Sequence, residues 1–353
     1  MPFLTLSGHQ KDAFTSDLGN GGAVLAALRL TLPFIIKMAE HIPLGVVTEA
    51  CKARKQTFRR ADDMLSRHRH AVMADAENPQ QSFFTELFLA ESEEKLTWQE
   101  VRSNALTFLV AGTDTTANTL TYLVWAICQR SSVKAILLEE LDQLPEKFDD
   151  THLKSLTYLN QVIEEALRVY PAVATGLLRV VPPGGANISG HHIPGGSTVS
   201  CQAYSLQRDP QIFPGPDEFD PSRWTNPTNE MKHAMMVWGG GARGKLTNAN
   251  GALWAHSPSI RSSRGAFTLS YLSNKATMKV FHLCLLVIAN ACFIVCLGVH
   301  LARAELRLGT ACFFRAFPAA RMSSVEGMSE KDMEPEMIAF TEPKGHRCLI
   351  ECR

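Results

Sequence analysis

The sequence predicts a mainly α protein with a small β region. Three observations carry that reading. Helical periodicity runs almost unbroken through the first half. One helix within it, at residues 101–128, is apolar on most faces and free of proline. From residue 176 the texture changes to short runs of Gly, Pro, Val, Ile and Thr. Helices first and a small sheet afterwards place the two kinds of structure in separate regions.

The 353 residues can bury a large core and could form one big domain or two ordinary ones. Lys and Arg number 35, as do Asp and Glu, so no basic field exists to attract nucleic acid. Nine cysteines without close even spacing argue against a disulfide-stapled scaffold and for a reducing compartment. No secretory signal is visible. The apolar stretch 23–36 holds Arg29 and is too short to span a bilayer, so a buried helix is expected there.

Residues 47–73 read as an amphipathic helix with a basic polar side, and 82–89 as a short apolar one. Thr97-Trp98-Gln99-Glu100 is a capping-box arrangement that opens the long helix. Helices are expected again at 132–144 and 156–169, the second stopped by Pro171. Strands follow within 176–205, with Pro194-Gly195-Gly196 as a turn, and 209–227 is proline-rich and irregular.

Ala111-Gly112-Thr113-Asp114-Thr115-Thr116 interrupts the long helix with an acid, a glycine and three hydroxyls. Glycine costs about 1 kcal/mol in a helix interior, and buried polar groups cost more unless paired. Glycine permits close approach of a ligand, a back-bonded hydroxyl bends the helix, and an acid beside an alcohol can pass protons. Alone, the pattern also fits a threonine-rich kink satisfied by its neighbours. The run resembles the oxygen-activation signature of cytochromes P450. That resemblance implies Asp114 and Thr115 as the proton-delivering pair, with Ala111 and Gly112 over the heme face.

Three further matches stand in the same order. Glu165-Ala166-Leu167-Arg168 is similar to the family's Glu-x-x-Arg motif, with Pro171 beyond it; such pairs are otherwise common on solvated helix faces. Phe219-Asp220-Pro221-Ser222-Arg223-Trp224 resembles its meander motif. The resemblance implies a buried structural triad of Glu165, Arg168 and Arg223. Arg179, which could equally be an ordinary surface arginine, occupies the place of an arginine that meets a heme propionate.

The ligand loop is interrupted. The family pattern is an aromatic, two residues, Gly, one residue, Arg, one residue, Cys, one residue, Gly. Trp238-Gly239-Gly240-Gly241-Ala242-Arg243 supplies its first half, and no cysteine follows. Val295-Cys296-Leu297-Gly298 reads as the second half, with the helix behind it. The resemblance therefore implies Cys296 as the metal ligand, and Arg243, Arg179, Gly241 and Trp238 as heme-binding residues. A thiolate on heme iron donates electron density that favours O–O cleavage. Cys284 and Cys292 lack the following glycine, and Cys51, Cys128 and Cys201 precede the loop.

The expected organisation is 1–243 as helical core and β region, 244–294 as an insertion, and 295–353 as the rest of the loop, its helix and the C-terminal segment. The insertion reads as a translated intron: Gly244-Lys245 can encode a GTAAG donor, and Ile294-Val295 a terminal TAG that restores the frame. The other reading is a membrane segment at 280–299, interrupted by His282 and Asn290. Cys348, Cys352 and His346 give three metal donors without a fourth, too few for a structural zinc site.

The resemblance covers about residues 47–243 and 295–350, the C-terminal part of the cytochrome P450 fold. It implies a heme-thiolate monooxygenase that inserts one atom of O2 into a hydrophobic small molecule. An NADPH-dependent P450 reductase is the implied partner, the endoplasmic reticulum membrane facing the cytoplasm the implied location, and secondary metabolism the implied setting. The sequence does not indicate an oligomeric state. The alternative is a non-catalytic, truncated or mis-spliced remnant that binds heme poorly.

Overall fold

A computed structural model describes residues 45–74, 84–92, 96–188, 190–239, 296–337 and 340–352. The expected helix at 23–36 and the insertion 244–294 lie outside them. The chain forms two compact units, 1–114 and 115–353.

In the first unit, α1 (Gly45–Ala74), α2 (Thr85–Ser92) and the start of α3 (Trp98–Cys128) pack through Leu65, Val72, Phe88, Val101 and Ala105. Arg69 makes a bidentate pair with Glu91 at 2.7 and 2.8 Å, and its guanidinium lies 5.3 Å from the Trp98 ring centroid. Thr97 and Glu100 form the anticipated capping box: the Thr97 N–H donates to the Glu100 carboxylate at 2.8 Å, and the Glu100 N–H to Thr97 Oγ1 at 3.3 Å. Two orphan donors at the helix start are thereby satisfied.

The second unit takes the rest of α3, then α4 (Ser131–Leu141), α5 (Asp150–Lys154) and α6 (Thr157–Val169). Strands β1 (Gly176–Val180) and β4 (Thr198–Gln202) pair antiparallel, with Arg179 opposite Val199. Between them β2 (Ala186–Ile188) and β3 (His191–Ile193) form a hairpin of their own. The Pro194-Gly195-Gly196 turn thus joins strands of two different sheets. Gly196 has φ +83, and a side chain at Gly195 would press within 2.8 Å of the Pro182 carbonyl, so both positions need glycine. Next come α7 (Ala203–Leu206), a 3-10 turn (Pro221–Trp224) and α8 (Asn229–Ala234).

Beyond the undescribed segment, α9 (Val299–Ala316) runs into the core, burying Leu306, Thr310, Ala311, Phe313 and Phe314. Arg303 pairs with Glu164 of α6, and Arg307 with Asp150 of α5 at 2.7 Å. The two-stranded pairs β5–β8 (Arg321–Met322 with Ile350–Glu351) and β6–β7 (Pro335–Met337 with Thr341–Pro343) complete the chain. Thr341 fastens β7 to the end of α6, its N–H donating to the Ala172 carbonyl at 2.8 Å and its hydroxyl to that of Pro171 at 2.7 Å.

The long helix differs from expectation in one respect. Val101 and Ala105 are buried on one side of the polar break and Thr119, Tyr122 and Leu123 on the other, but none of the residues 106–118 whose burial is described is. Apolar composition alone did not reveal that the residues of the polar break are half-buried or exposed rather than fully buried.

Candidate active site

Glu165 and Arg168 face the same way because they are three apart on α6, whose facing residues are all buried. Both side chains are 0% exposed. Arg168 Nε and Nη2 donate to the two Glu165 oxygens, each at 2.9 Å. The 3-10 turn opened by Pro221 brings up Arg223, whose Nε donates to Glu165 Oε1 at 3.0 Å. The Asp220 N–H and the Trp224 indole N–H complete the carboxylate's shell at 2.9 Å each. Arg168 spends its remaining donors on the carbonyls of Gln207 (2.9 Å), Pro216 (2.6 Å) and Glu218 (3.0 Å). One buried ion cluster therefore fixes 207–224 against α6. Trp224 and the three carbonyls were not foreseen: the indole stands in the quoted motif, but nothing in its spacing shows where its N–H points.

The structure brings Trp238 and Cys296 together across the intervening residues. The Cys296 N–H donates to the Trp238 carbonyl at 2.9 Å. Gly239, at φ +80, turns the chain just after Trp238. The Val299 N–H closes onto the Cys296 carbonyl at 3.2 Å, and Gly298 caps α9. Cys296 thus stands immediately before a helix N-terminus, where positive backbone charge favours a thiolate. Cys296 is exposed, yet protein packed behind its sulfur pushes the thiol above its ordinary value, while a hydrogen bond from the Gly298 backbone opposes that shift. Arg303 stacks 5.5 Å from the Trp238 ring centroid. The Trp238 indole N–H is buried without an acceptor among the described residues. Such a donor is costly unless a partner arrives.

Around the polar break, Ala111 and Gly112 are exposed, and a side chain at Gly112 would meet nothing within 4 Å. Thr113 returns its hydroxyl to the Leu109 carbonyl at 2.7 Å, and Thr119 to the Thr115 carbonyl at 2.8 Å. Asp114 and Thr115 follow one another on a continuous helix, at the junction of the two units. Arg179 is half-buried on β1, and its charge bears on Cys201. Gly241 and Arg243 lie outside the described residues.

The cytochrome P450 family model matches residues 7–244. The chain belongs to the cytochrome P450 family. The match begins well before residue 47, so the likeness reaches further toward the N-terminus than the motifs carry it, and it stops one residue past Arg243. Cytochrome P450 monooxygenase tazI of Aspergillus terreus is 37% identical over 99% of this chain, and orf2 of Aspergillus niger 33% over 99%. The chain spans 61% of the length of each. Among solved structures, the retinoic acid bound cyanobacterial CYP120A1 aligns with a TM-score of 0.62 and 20% identity, covering 94% of this chain and 62% of that one, which supports the P450 fold.

The cofactor of P450s is heme held by a cysteine thiolate. The residues present fit it: a soft sulfur at a helix N-terminus, an amide hydrogen bond toward that sulfur, and an indole donor awaiting an acceptor. Among the described residues no helix is long and apolar enough to cross a membrane; residues 280–295 of the apolar stretch are not described.

Proposed function

We propose that this chain forms the heme-binding part of a fungal heme-thiolate monooxygenase of secondary metabolism, which inserts one atom of O2 into a hydrophobic small molecule. The observation that supports the reading is the 2.9 Å bond from the Cys296 N–H to the Trp238 carbonyl, which brings together one residue from each half of the interrupted motif. When bound, heme supplies oxygen activation driven by electrons from a partner, here an NADPH-dependent reductase at the endoplasmic reticulum membrane.

The chain's own residues have distinct parts. Cys296 would supply the thiolate that holds the heme iron, with its N–H on the Trp238 carbonyl just before the turn at Gly239. Arg179 and Arg243 would hold the heme propionates by charge-assisted hydrogen bonds. The Asp114 carboxyl and the Thr115 hydroxyl would carry protons toward bound heme, and Ala111 and Gly112, exposed and without bulk, would leave room for substrate and O2. Glu165, Arg168 and Arg223 lock the scaffold.

Residues 244–294 are proposed to be a translated intron, interposed between 1–243 and 295–353. Amplifying this region from cDNA should give a product lacking those codons; an uninterrupted long product alone overturns that part. The functional reading is tested by reconstituting with hemin the chain as it stands and a version lacking 244–294. The shorter version should show the red-shifted reduced-CO band of thiolate-ligated heme, and Cys296→Ser should abolish it at unchanged helical content. A band that survives Cys296→Ser refutes the ligand. Failure of both versions to take up heme favours the non-catalytic reading.

A further inference from the structure

Just ahead of the Trp238 turn, Met235 and Met236 follow the end of α8 and send their side chains to different places. Met235 packs against the main core, while Met236 is buried in a small separate cluster with Ala203, Cys201 and Leu206. Each thioether meets a donor. The Gln207 side-chain amide reaches Met235 Sδ at 3.7 Å, but it also serves the carbonyls of Leu167 and Arg168 at 3.2 Å each, so its two hydrogens are shared among more acceptors than they can fill. The Cys201 thiol donates its single hydrogen to Met236 Sδ at 3.4 Å. Burial raises the Cys201 pKa, against the opposing charge of Arg179, so the thiol keeps that hydrogen at neutral pH. Met236 is held by its backbone as well. Its carbonyl accepts the Gly239 N–H at 2.9 Å, and the Trp238 carbonyl within that turn accepts the Cys296 N–H. At the other end of the contact, Cys201 lies on β4 two residues from Val199, whose partner across the ladder is Arg179. Residues two apart on a strand, and residues directly opposite, share a face, so Cys201 and Arg179 are on the same side of the β1–β4 pair.

We propose that Met236 is a positioning residue: through the Cys201 thiol it fastens the turn that meets Cys296 to the strand pair that carries Arg179. Any apolar side chain of this size would fill the cluster, but among the aliphatic residues only methionine offers the thiol an acceptor. The contact itself does not require heme, and only its consequence rests on the P450 reading given above. On that reading the ligand sulfur and a propionate-binding arginine come from separate segments of the chain. A rigid cofactor gripped at both places needs the span between them fixed before it arrives, and supporting contacts of this kind provide that. The Cys201–Met236 contact is a short path between the two, from β4 to the residue whose carbonyl closes the Gly239 turn.

The test uses the full chain with Met236→Leu, Cys201→Ala and Cys201→Val, read by hydrogen exchange of the Gly239 and Cys296 amides. The Thr341 amide, bonded to the Ala172 carbonyl, serves as internal control. Each variant should speed exchange at Gly239 and Cys296 about threefold, the loss of one weak hydrogen bond, and leave Thr341 unchanged. Leucine keeps the volume of methionine, while alanine and valine bracket that of cysteine. Equal effects from all three therefore report the sulfur contact, whereas packing alone would separate them. The Met236→Leu, Cys201→Ala double variant should be no faster than either single one. Additive effects, a Cys201→Val variant as slow as the parent, or unchanged exchange in Met236→Leu overturns the proposal. Should Cys201→Val fail to fold, Met236→Leu, Cys201→Ala and their double variant decide the matter. In heme-loaded protein the same variants should lose heme to an external acceptor protein about threefold faster. An unchanged rate of loss beside faster exchange overturns the positioning role. Unchanged exchange in protein that shows the thiolate band removes the contact and leaves the P450 reading intact. The expected exchange pattern in protein that takes up no heme keeps the contact and removes that reading.

Discussion

Replacing Glu165 with alanine tests the scaffold most directly. Its carboxylate accepts five hydrogen bonds, from Arg168 (two), Arg223, Asp220 and Trp224. Without it, two guanidiniums that are 0% and 8% exposed would face each other with no acid between them. Breaking a buried ion pair from one side costs about 3–5 kcal/mol, a large part of the roughly 5–15 kcal/mol that holds a typical domain. Summing the five bonds separately would overshoot, because they share one desolvated centre. The apolar escape that rescues some buried ion pairs is closed here. Arg168 also satisfies the carbonyls of Gln207, Pro216 and Glu218, and a Glu165→Met, Arg168→Met double variant would leave those of Gln207 and Pro216 without this donor and Arg223 without its acid. Urea unfolding followed by circular dichroism should show the Glu165→Ala midpoint lowered by about 1 M or more, given slopes of roughly 1–3 kcal/mol per molar. The double variant should recover little of it. A midpoint within 0.3 M (~10% of a midpoint near 3 M, about the extrapolation error) of the parent, or a double variant as stable as the parent, would refute the reasoning.

Acidification should weaken the α5–α9 contact. Hydrogen bonding from Arg307, and secondarily from Lys154, holds Asp150 below the ordinary carboxylate value of 3.8. A depressed folded value means the stabilisation is complete above the unfolded value and drains as pH falls through the folded one. Arg307→Met should therefore flatten the decline of Tm below about pH 4, and a parallel decline in parent and variant would contradict this. The thiols should differ in reactivity. Burial pushes Cys128 to about 11 and Cys348 to about 12, so at pH 8 only about one Cys128 in a thousand is thiolate. Iodoacetamide should modify exposed Cys312 well ahead of both, as peptide mass analysis would show; equal rates would exclude the burial argument. Finally, Thr97→Ala should cost about 1 kcal/mol by removing a helix cap, measured as a lower melting temperature.

The sequence by itself determined the longer helices at 45–74, 98–128, 131–141 and 157–169, the family and the order of the motifs. Periodicity, the Thr97–Glu100 box and the stop at Pro171 act through neighbours along the chain, so they can be read without a fold. The family followed from four motifs in order, of which no single one was specific. Spacing along a helix also showed that Glu165 and Arg168 could meet.

Other features depended on the tertiary structure. That the Glu165 carboxylate also takes the Trp224 indole, and that Thr341 ties β7 to the end of α6, are contacts between segments far apart in sequence. Their geometry is set by how helices pack, which no local pattern encodes. The meeting of Cys296 with Trp238 belongs to both. The residues announced it, but only folding could bring an amide and a carbonyl 58 positions apart to 2.9 Å.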